Sequence, residues 1–369
     1  MKDPGICAAC LLVALSAGSL AAKEYVVPAG DVGRYFARLP ADATYLSFSD
    51  AATYTSNGDI VLPAVPLLVI DGKGCKLQLG PGSNGFTSDI TDQKQATARV
   101  TGRVVIRDFA MIQGGRKAID LQATLGSEVR NVKLVGQTEA AIDLRFCLMA
   151  RLEHVFVTNP MARGIVVRNG DWPGATAFNS QSNSTVLEQC RVYAAKTTTD
   201  AYTVLNSGGV CMNACVSEGA PCDHDLFLSA TTDGDESRPA GNTVVKSFSL
   251  SDLHVEHAAR LASIYVNMPS KAAVSLKNIY WNGPQTAPVV LYTMGQLHLS
   301  DIGWWHDSFR IVTRISAPRI VVDRCHSGLS VGERTERNDR RAGVLRLDDA
   351  LPGNTQLKLT YVVVRDKAM

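Results

Sequence analysis

The stretch "AIDLQATLGSEVRNVKLVGQTEAAIDLR" (Ala118–Arg145) carries the tetrapeptide AIDL twice, at Ala118–Leu121 and again at Ala141–Leu144. Between the copies lies "VRNVKL" from Val129, whose pattern is apolar, variable, short polar, apolar, variable, apolar. The same six-residue pattern is read nine times along the chain: "IRDFAM" from Ile106, "VRNVKL", "LEHVFV" from Leu152, "LEQCRV" from Leu187, "CMNACV" from Cys211, "LSDLHV" from Leu250, "LKNIYW" from Leu276, "LSDIGW" from Leu299 and "VVDRCH" from Val321. The starts recur at nearly even intervals except for two longer ones, from Leu152 to Leu187 and from Cys211 to Leu250. Those two intervals read as loop insertions.

Most segments are followed by a second short apolar strand such as "AIDLQ", "GIVVR", "YTVLN" or "DLFLS". Alternation of period two marks strands with one buried face. The middle of the chain shows no sustained helical period. A unit of this size cannot bury its own apolar face, whereas stacked units can, which predicts a parallel solenoid. The third position of the pattern is always polar, from Asp108, Asn131 and His154 to Asp323. Asn and Asp tolerate the left-handed backbone that a tight corner between two strands requires. Arg324 and His326 fall at apolar positions of the last segment, which predicts that the stack ends there.

With these residues in view the chain resembles the right-handed parallel β-helix, or pectate-lyase-like, superfamily. The resemblance rests on the repeated pattern followed by Gly/Ala-Ile-x-Val/Leu. It also rests on "VIDGKGCKLQL" (Val69–Leu79), which is similar to a first full rung. The expected fold is therefore all-β, a right-handed parallel β-helix of about 22–26-residue rungs with an N-terminal cap and a C-terminal closing strand. The expected division is a signal peptide at 1–22, a cap at 23–60, the helix at 61–328, and a charged loop with a final strand at 329–369.

Composition narrows the partners. The chain is 46% apolar and 20% charged with a net charge of +2, without the basic face of a nucleic-acid binder. No apolar run beyond the N-terminus is long enough for a membrane span. The N-terminus pairs Lys2 with an apolar stretch from Ile6 to Leu20 and then Ala21–Ala22, the layout of a signal peptide. A secreted or periplasmic location is the expectation. Of the nine cysteines, all but Cys7 and Cys10 follow this leader. Cys215 and Cys222 would pair across a loop in an oxidising compartment; otherwise the cysteines read as small buried hydrophobes.

The resemblance implies a shallow groove over the AIDL strand, suited to an extended polysaccharide. Alternation turns Ile119, Leu121, Ile142 and Leu144 inward. It turns Asp120, Gln122, Asp143, Arg145, Val166 and Arg168 outward, stacking Asp120 on Asp143 and Gln122 on Arg145 and Arg168. Adjacent rungs bring the two carboxylates to about 5 Å, the separation a retaining glycosidase uses. A calcium-dependent lyase would instead hold Ca²⁺ between Asp120 and Asp143, with Arg145 or Arg168 abstracting the proton α to a uronate carboxylate. A second candidate is "CDHD" (Cys222–Asp225), similar to the Asp-Pro-His-Asp motif of mannuronan C5-epimerases but with Cys222–Asp223 where that motif has Asp-Pro. There His224 would be a general base oriented by Asp225, with Asp223 and Gln122 contacting substrate. Trp305 is a candidate sugar platform, and His254 and His257 are expected on an outer surface.

The expected function is an exported protein cleaving an acidic, uronate-containing glycan by lyase or hydrolase chemistry. The alternatives are a non-catalytic glycan-binding, adhesin or tailspike-like β-helix and a polyuronate C5-epimerase. A homotrimer is one assembly the tailspike-like resemblance admits.

Overall fold

The computed structural model describes residues 23–229 except 41, residues 247–304 except 269–271, 283–286, 288 and 294, and then the strands 313–316, 319–323, 326–327, 345–347 and 356–360. The expected leader, the charged loop after Gly332 and Trp305 lie outside the described residues.

Each unit of the sequence repeat forms one rung, and every strand pairs in parallel with its equivalent one rung away. Glu128–Val135 lies between Arg103–Gly114 and Arg151–Thr158 in one sheet. Lys117–Leu125 lies between Asn84–Thr87 and Ala140–Leu148 in the other. The first sheet bends at the polar third position of the repeat. Asp108, Asn131, His154, Gln189, Asp252, Asn278 and Asp301 all have φ between 50° and 58°. Gly, Asn and Asp enter this region at the lowest cost, in keeping with the Asn or Asp found at five of these seven corners. The corner residues also bond rung to rung, as where Asn131 Nδ2 donates to Asp108 Oδ1 at 3.0 Å. The architecture is all-β with stacked parallel sheets, compatible with a parallel β-helix.

Two rungs sit one residue away from the sequence reading. Leu187 pairs with Met212, not Cys211, and Leu299 pairs with Val322, not Val321. Met212 is fully buried, Cys211 is exposed, and Ala214 instead of Asn213 takes the left-handed corner at φ 51°. In this frame His326 pairs with Gly303 and not with Trp304. Pairing continues past it: Gln356–Thr360 lies in register on Arg319–Asp323, and Leu345–Leu347 on Thr313–Ile315. At the other end Glu24–Val26 already pairs in parallel with Tyr45–Ser47, so the ladder precedes the "VIDG" strand.

The interior is one continuous apolar column. Near the N-terminus it is filled by Phe36, Phe48, Tyr54, Phe86 and Phe109, whose neighbouring rings lie 4.7 to 6.5 Å apart. One interior file runs beside the second sheet through Gly85, Ala118, Ala141, Gly164 and Ala201, and it is tight at its two glycines. A Cβ at Gly85 would stand 2.0 Å from the Ala118 carbonyl oxygen, and one at Gly164 2.3 Å from that of Ala201. The next two places in this file hold Asp225 and Ser263, as the register of their neighbours shows.

Two short helices, Val32–Phe36 and Gln93–Arg99, leave no period in the sequence because each makes about two turns or fewer. Gln93–Arg99 is capped by Asp92, whose carboxylate accepts from the Gln95 amide at 2.7 Å. This helix matters because it lies against the outer face of the second sheet.

Candidate functional site

The expected outer columns form as the alternation dictates. Asp120 pairs with Asp143 in register, Gln122 with Arg145, and Arg145 with Arg168. These residues do not face open solvent. Asp120 and Asp143 are each 2% exposed and Gln122 6%. The reason is a lid of two loops. The Gln93–Arg99 helix and the segment following Arg168 dock on each other, with Trp172 Nε1 donating to Gln93 Oε1 at 3.0 Å. Trp172, Ala96 and Ala123 form a small apolar cluster with Ile90, Phe146 and Ala175 over the sheet.

Beneath this cover lies an ion network. Arg145 donates two bonds from one nitrogen to both oxygens of Asp120, at 2.8 and 2.7 Å, and a third from Nε at 3.2 Å. Arg168 forks onto Asp143 with two bonds of 2.9 Å. Lys117 Nζ bridges the pair, 2.7 Å from Asp143 and 3.4 Å from Asp120. Asp171 closes the outer side, 2.6 Å from Arg145 and 2.8 Å from Arg168. Thr87 and Gln122 donate to Asp120 Oδ2 at 3.0 and 3.1 Å. Three carboxylates thus meet three cations. Burial alone would raise the Asp143 carboxyl, but Arg168, Lys117 and Arg145 outweigh it and hold the group far below the usual carboxylate range.

This donor set does not fit calcium. Ca²⁺ takes six to eight oxygen ligands, and here the carboxylate oxygens are already occupied by guanidinium, ammonium, hydroxyl and amide donors. No step through a cation is derived for this site. Nor are Arg145 and Arg168 placed as bases, since each is locked between two carboxylates. A hollow of 230 Å³ lined by Pro63, Val65, Arg99, Gln122 and Thr124 lies beside the lid, smaller than ordinary ligand clefts.

Three rungs further on, the same outer face changes character. His224 Nδ1 lies 2.8 Å from Asp200 Oδ1, directly below it in register. Arg163, one rung lower, reaches Asp200 at 3.4 Å with its side chain 43% exposed. Phe227 and Tyr265 stack in parallel, 5.2 Å apart and 6° from coplanar. The His224 ring packs against both, at 5.0 and 5.8 Å. His224 and Phe227 are 8% exposed and Tyr265 is half-buried.

Asp225 does not orient His224. Asp225 turns into the interior, next to the core residue Leu226, and is fully buried and bonded to Ser217, Ser263 and His257. His257 is likewise turned inward and 8% exposed, while His254 remains at the surface against Tyr280 and Glu256. Asp223 is held by Arg260 at 2.6 Å. Cys215 and Cys222 are both free thiols and both buried. The carboxylate that does orient His224, Asp200, is legible only through register: "DAYTVL" from Asp200 stands one rung before "HDLFLS" from His224. Lys117, Asp171 and the Phe227–Tyr265 pair carry no motif.

No protein-family model, no curated protein and no solved structure matches the chain. Among the described residues no helix is long and apolar enough to cross a membrane.

Proposed function

We propose that the chain is an exported right-handed parallel β-helix of the pectate-lyase-like kind that engages an extended acidic polysaccharide along the outer face of its second sheet, with His224 as the proton-transferring group. The observation that carries this reading is the 2.8 Å His224–Asp200 contact beside the stacked Phe227–Tyr265 pair. An imidazole is suited to proton transfer near neutral pH, and a carboxylate on Nδ1 fixes its tautomer and leaves Nε2 to meet substrate. The aromatic pair offers an apolar wall, and Arg163 supplies a partly exposed cation one rung from Asp200 for a uronate carboxylate. Asp120 and Asp143 are assigned to holding the rungs together, because their charges are already balanced.

The test is a panel of uronate-containing polymers, with and without Ca²⁺ or a chelator, on the wild type, His224→Ala and Asp143→Asn. The expected outcome is turnover that His224→Ala abolishes and that folded Asp143→Asn retains. Unsaturated, ultraviolet-absorbing products define a lyase, and new reducing ends without that absorbance define a hydrolase. No turnover and no binding of any polymer overturns the reading. The balanced ion network also favours a second reading, a non-catalytic glycan-binding protein. That reading predicts retention on a glycan array, weakened by Tyr265→Ala, without products.

A further inference from the structure

Cys222 Sγ, Asp225 Oδ1 and His257 Nε2 converge inside the ladder, behind the strand that carries His224. The Sγ–Nε2 separation is 3.2 Å, Sγ–Oδ1 is 3.8 Å and Nε2–Oδ1 is 2.8 Å. All three residues are buried. We propose that they are the protein ligands of a single zinc-class divalent metal ion that ties this rung to the next.

The geometry carries the argument. A triangle with those three edges has its centre about 1.9 Å from every corner, and ligand bonds to zinc run about 2.0–2.3 Å. An ion at such bond lengths sits roughly 1 Å or less out of the ligand plane, as the centre of a coordination tetrahedron does. A fourth position on that side is left for a water or a hydroxyl. Thiolate, imidazole and carboxylate together select zinc and its neighbours over calcium or magnesium.

The surroundings are built for one carboxylate orientation. Ser217 Oγ donates to Asp225 Oδ1 at 2.7 Å, and Ser263 Oγ to Oδ2 at 2.6 Å. Trp281 Nε1 in turn donates to the Ser263 hydroxyl at 2.8 Å. Such outer bonds fix a ligand's direction. They turn Oδ1 toward Cys222 and His257. The position itself is informative, since the same interior file holds Gly85, Ala118, Ala141, Gly164 and Ala201 in the earlier rungs. A carboxylate there is strongly unfavourable unless a cation meets it.

The Cys222 S–H donates to the His224 carbonyl at 3.1 Å. Coordination sends that proton to solvent and leaves a thiolate–metal bond. Cys222 and Asp225 lie within the longest interval in the repeat, the one from Cys211 to Leu250, and His257 lies just beyond it. Closing a long loop is where a metal clip gains most.

The test uses the full chain, stripped with chelator and titrated with Zn²⁺ and with Co²⁺ alone. The expected result is about one equivalent bound, a raised Tm and a thiolate-to-cobalt charge-transfer band. Cys222→Ser removes the band, Ser263→Ala weakens affinity roughly 10–100-fold, and Cys211→Ser, at the exposed cysteine, changes neither. The circular dichroism of each variant reports folding independently. Absence of the band in a folded wild-type chain, or its survival in Cys222→Ser, overturns the proposal. No glycan enters the assay, so its outcome is separate from that of the polysaccharide reading.

Discussion

Replacing Asp143 by Asn tests what the covered ion network does. The change preserves shape and removes one of three negative charges. Arg145, Arg168 and Lys117 then share only Asp120 and Asp171. The side chains left with the excess charge are poorly hydrated, at 12% exposure for Arg145 and Lys117 and 20% for Arg168. Two unit charges about 4 Å apart interact by roughly 4 kcal/mol at an effective dielectric of 20. Removing one partner of a buried pair costs about 3–5 kcal/mol. Asp143→Asn is therefore expected to lose about 3–5 kcal/mol, a large part of the stability of an ordinary domain. Asp171→Asn, at a carboxylate 46% exposed, should lose about 1 kcal/mol or less. The double variant Asp143→Asn, Arg168→Met should recover part of the loss, since the unpaired guanidinium is gone. Urea unfolding followed by far-ultraviolet circular dichroism reads all four proteins. If Asp143→Asn falls within about 0.5 kcal/mol of wild type, an ordinary surface-substitution effect, the network does not hold the rungs and the reasoning fails.

Acid should unfold the same region. Burial raises and the arginines more than offset the Asp143 and Asp171 carboxyls, so both sit below their ordinary values in the folded state. Their stabilisation is thus complete above the unfolded carboxylate pKa of about 4 and is lost as pH falls below it; Tm measured from about pH 6 to about pH 2 should drop, and less steeply in Asp143→Asn. Burial pushes the Cys75 and Cys147 thiols up to about 12, so brief alkylation at about pH 8 should label Cys211 and spare both, as peptide mapping would show. Ala214→Gly should stabilise by about 1 kcal/mol, because its left-handed φ of 51° costs any residue with a Cβ. Asn131→Ala should destabilise by about 1–2 kcal/mol at φ 53°.

The parts of the fold legible in the sequence are those with a period. Stacking demands the same residue class at each level, so the corner ladder, the inward Ile and Leu, and the register of Asp120 on Asp143 can all be read in advance. The rung at Met212 reads one residue off because Cys211 and Met212 are both apolar, and only burial distinguishes them. The burial of Asp120 and Asp143 cannot be read, since the covering helix and the segment around Trp172 come from aperiodic insertions. His224 stands out in the sequence as a residue with a catalytic range of chemistry. Its partner does not, because Asp225 is adjacent in sequence and on the opposite face, while Asp200 is distant in sequence and one rung away.

Equal units also create an ambiguity that the apolar interior cannot resolve. If the strand Ala140–Leu148 bypassed its neighbour and settled against Asn84–Thr87, Ile142 and Leu144 would fill the places of Ile119 and Leu121 with no loss of packing. The charges are not interchangeable in this way. Asp120 is followed by Asp143 and then by Val166, and Gln122 by Arg145 and Arg168. A chain displaced by one level would keep its hydrophobic contacts and separate Arg145 from the Asp120 carboxylate it holds. The buried ions therefore number the rungs, and the lid over them keeps water from erasing the count.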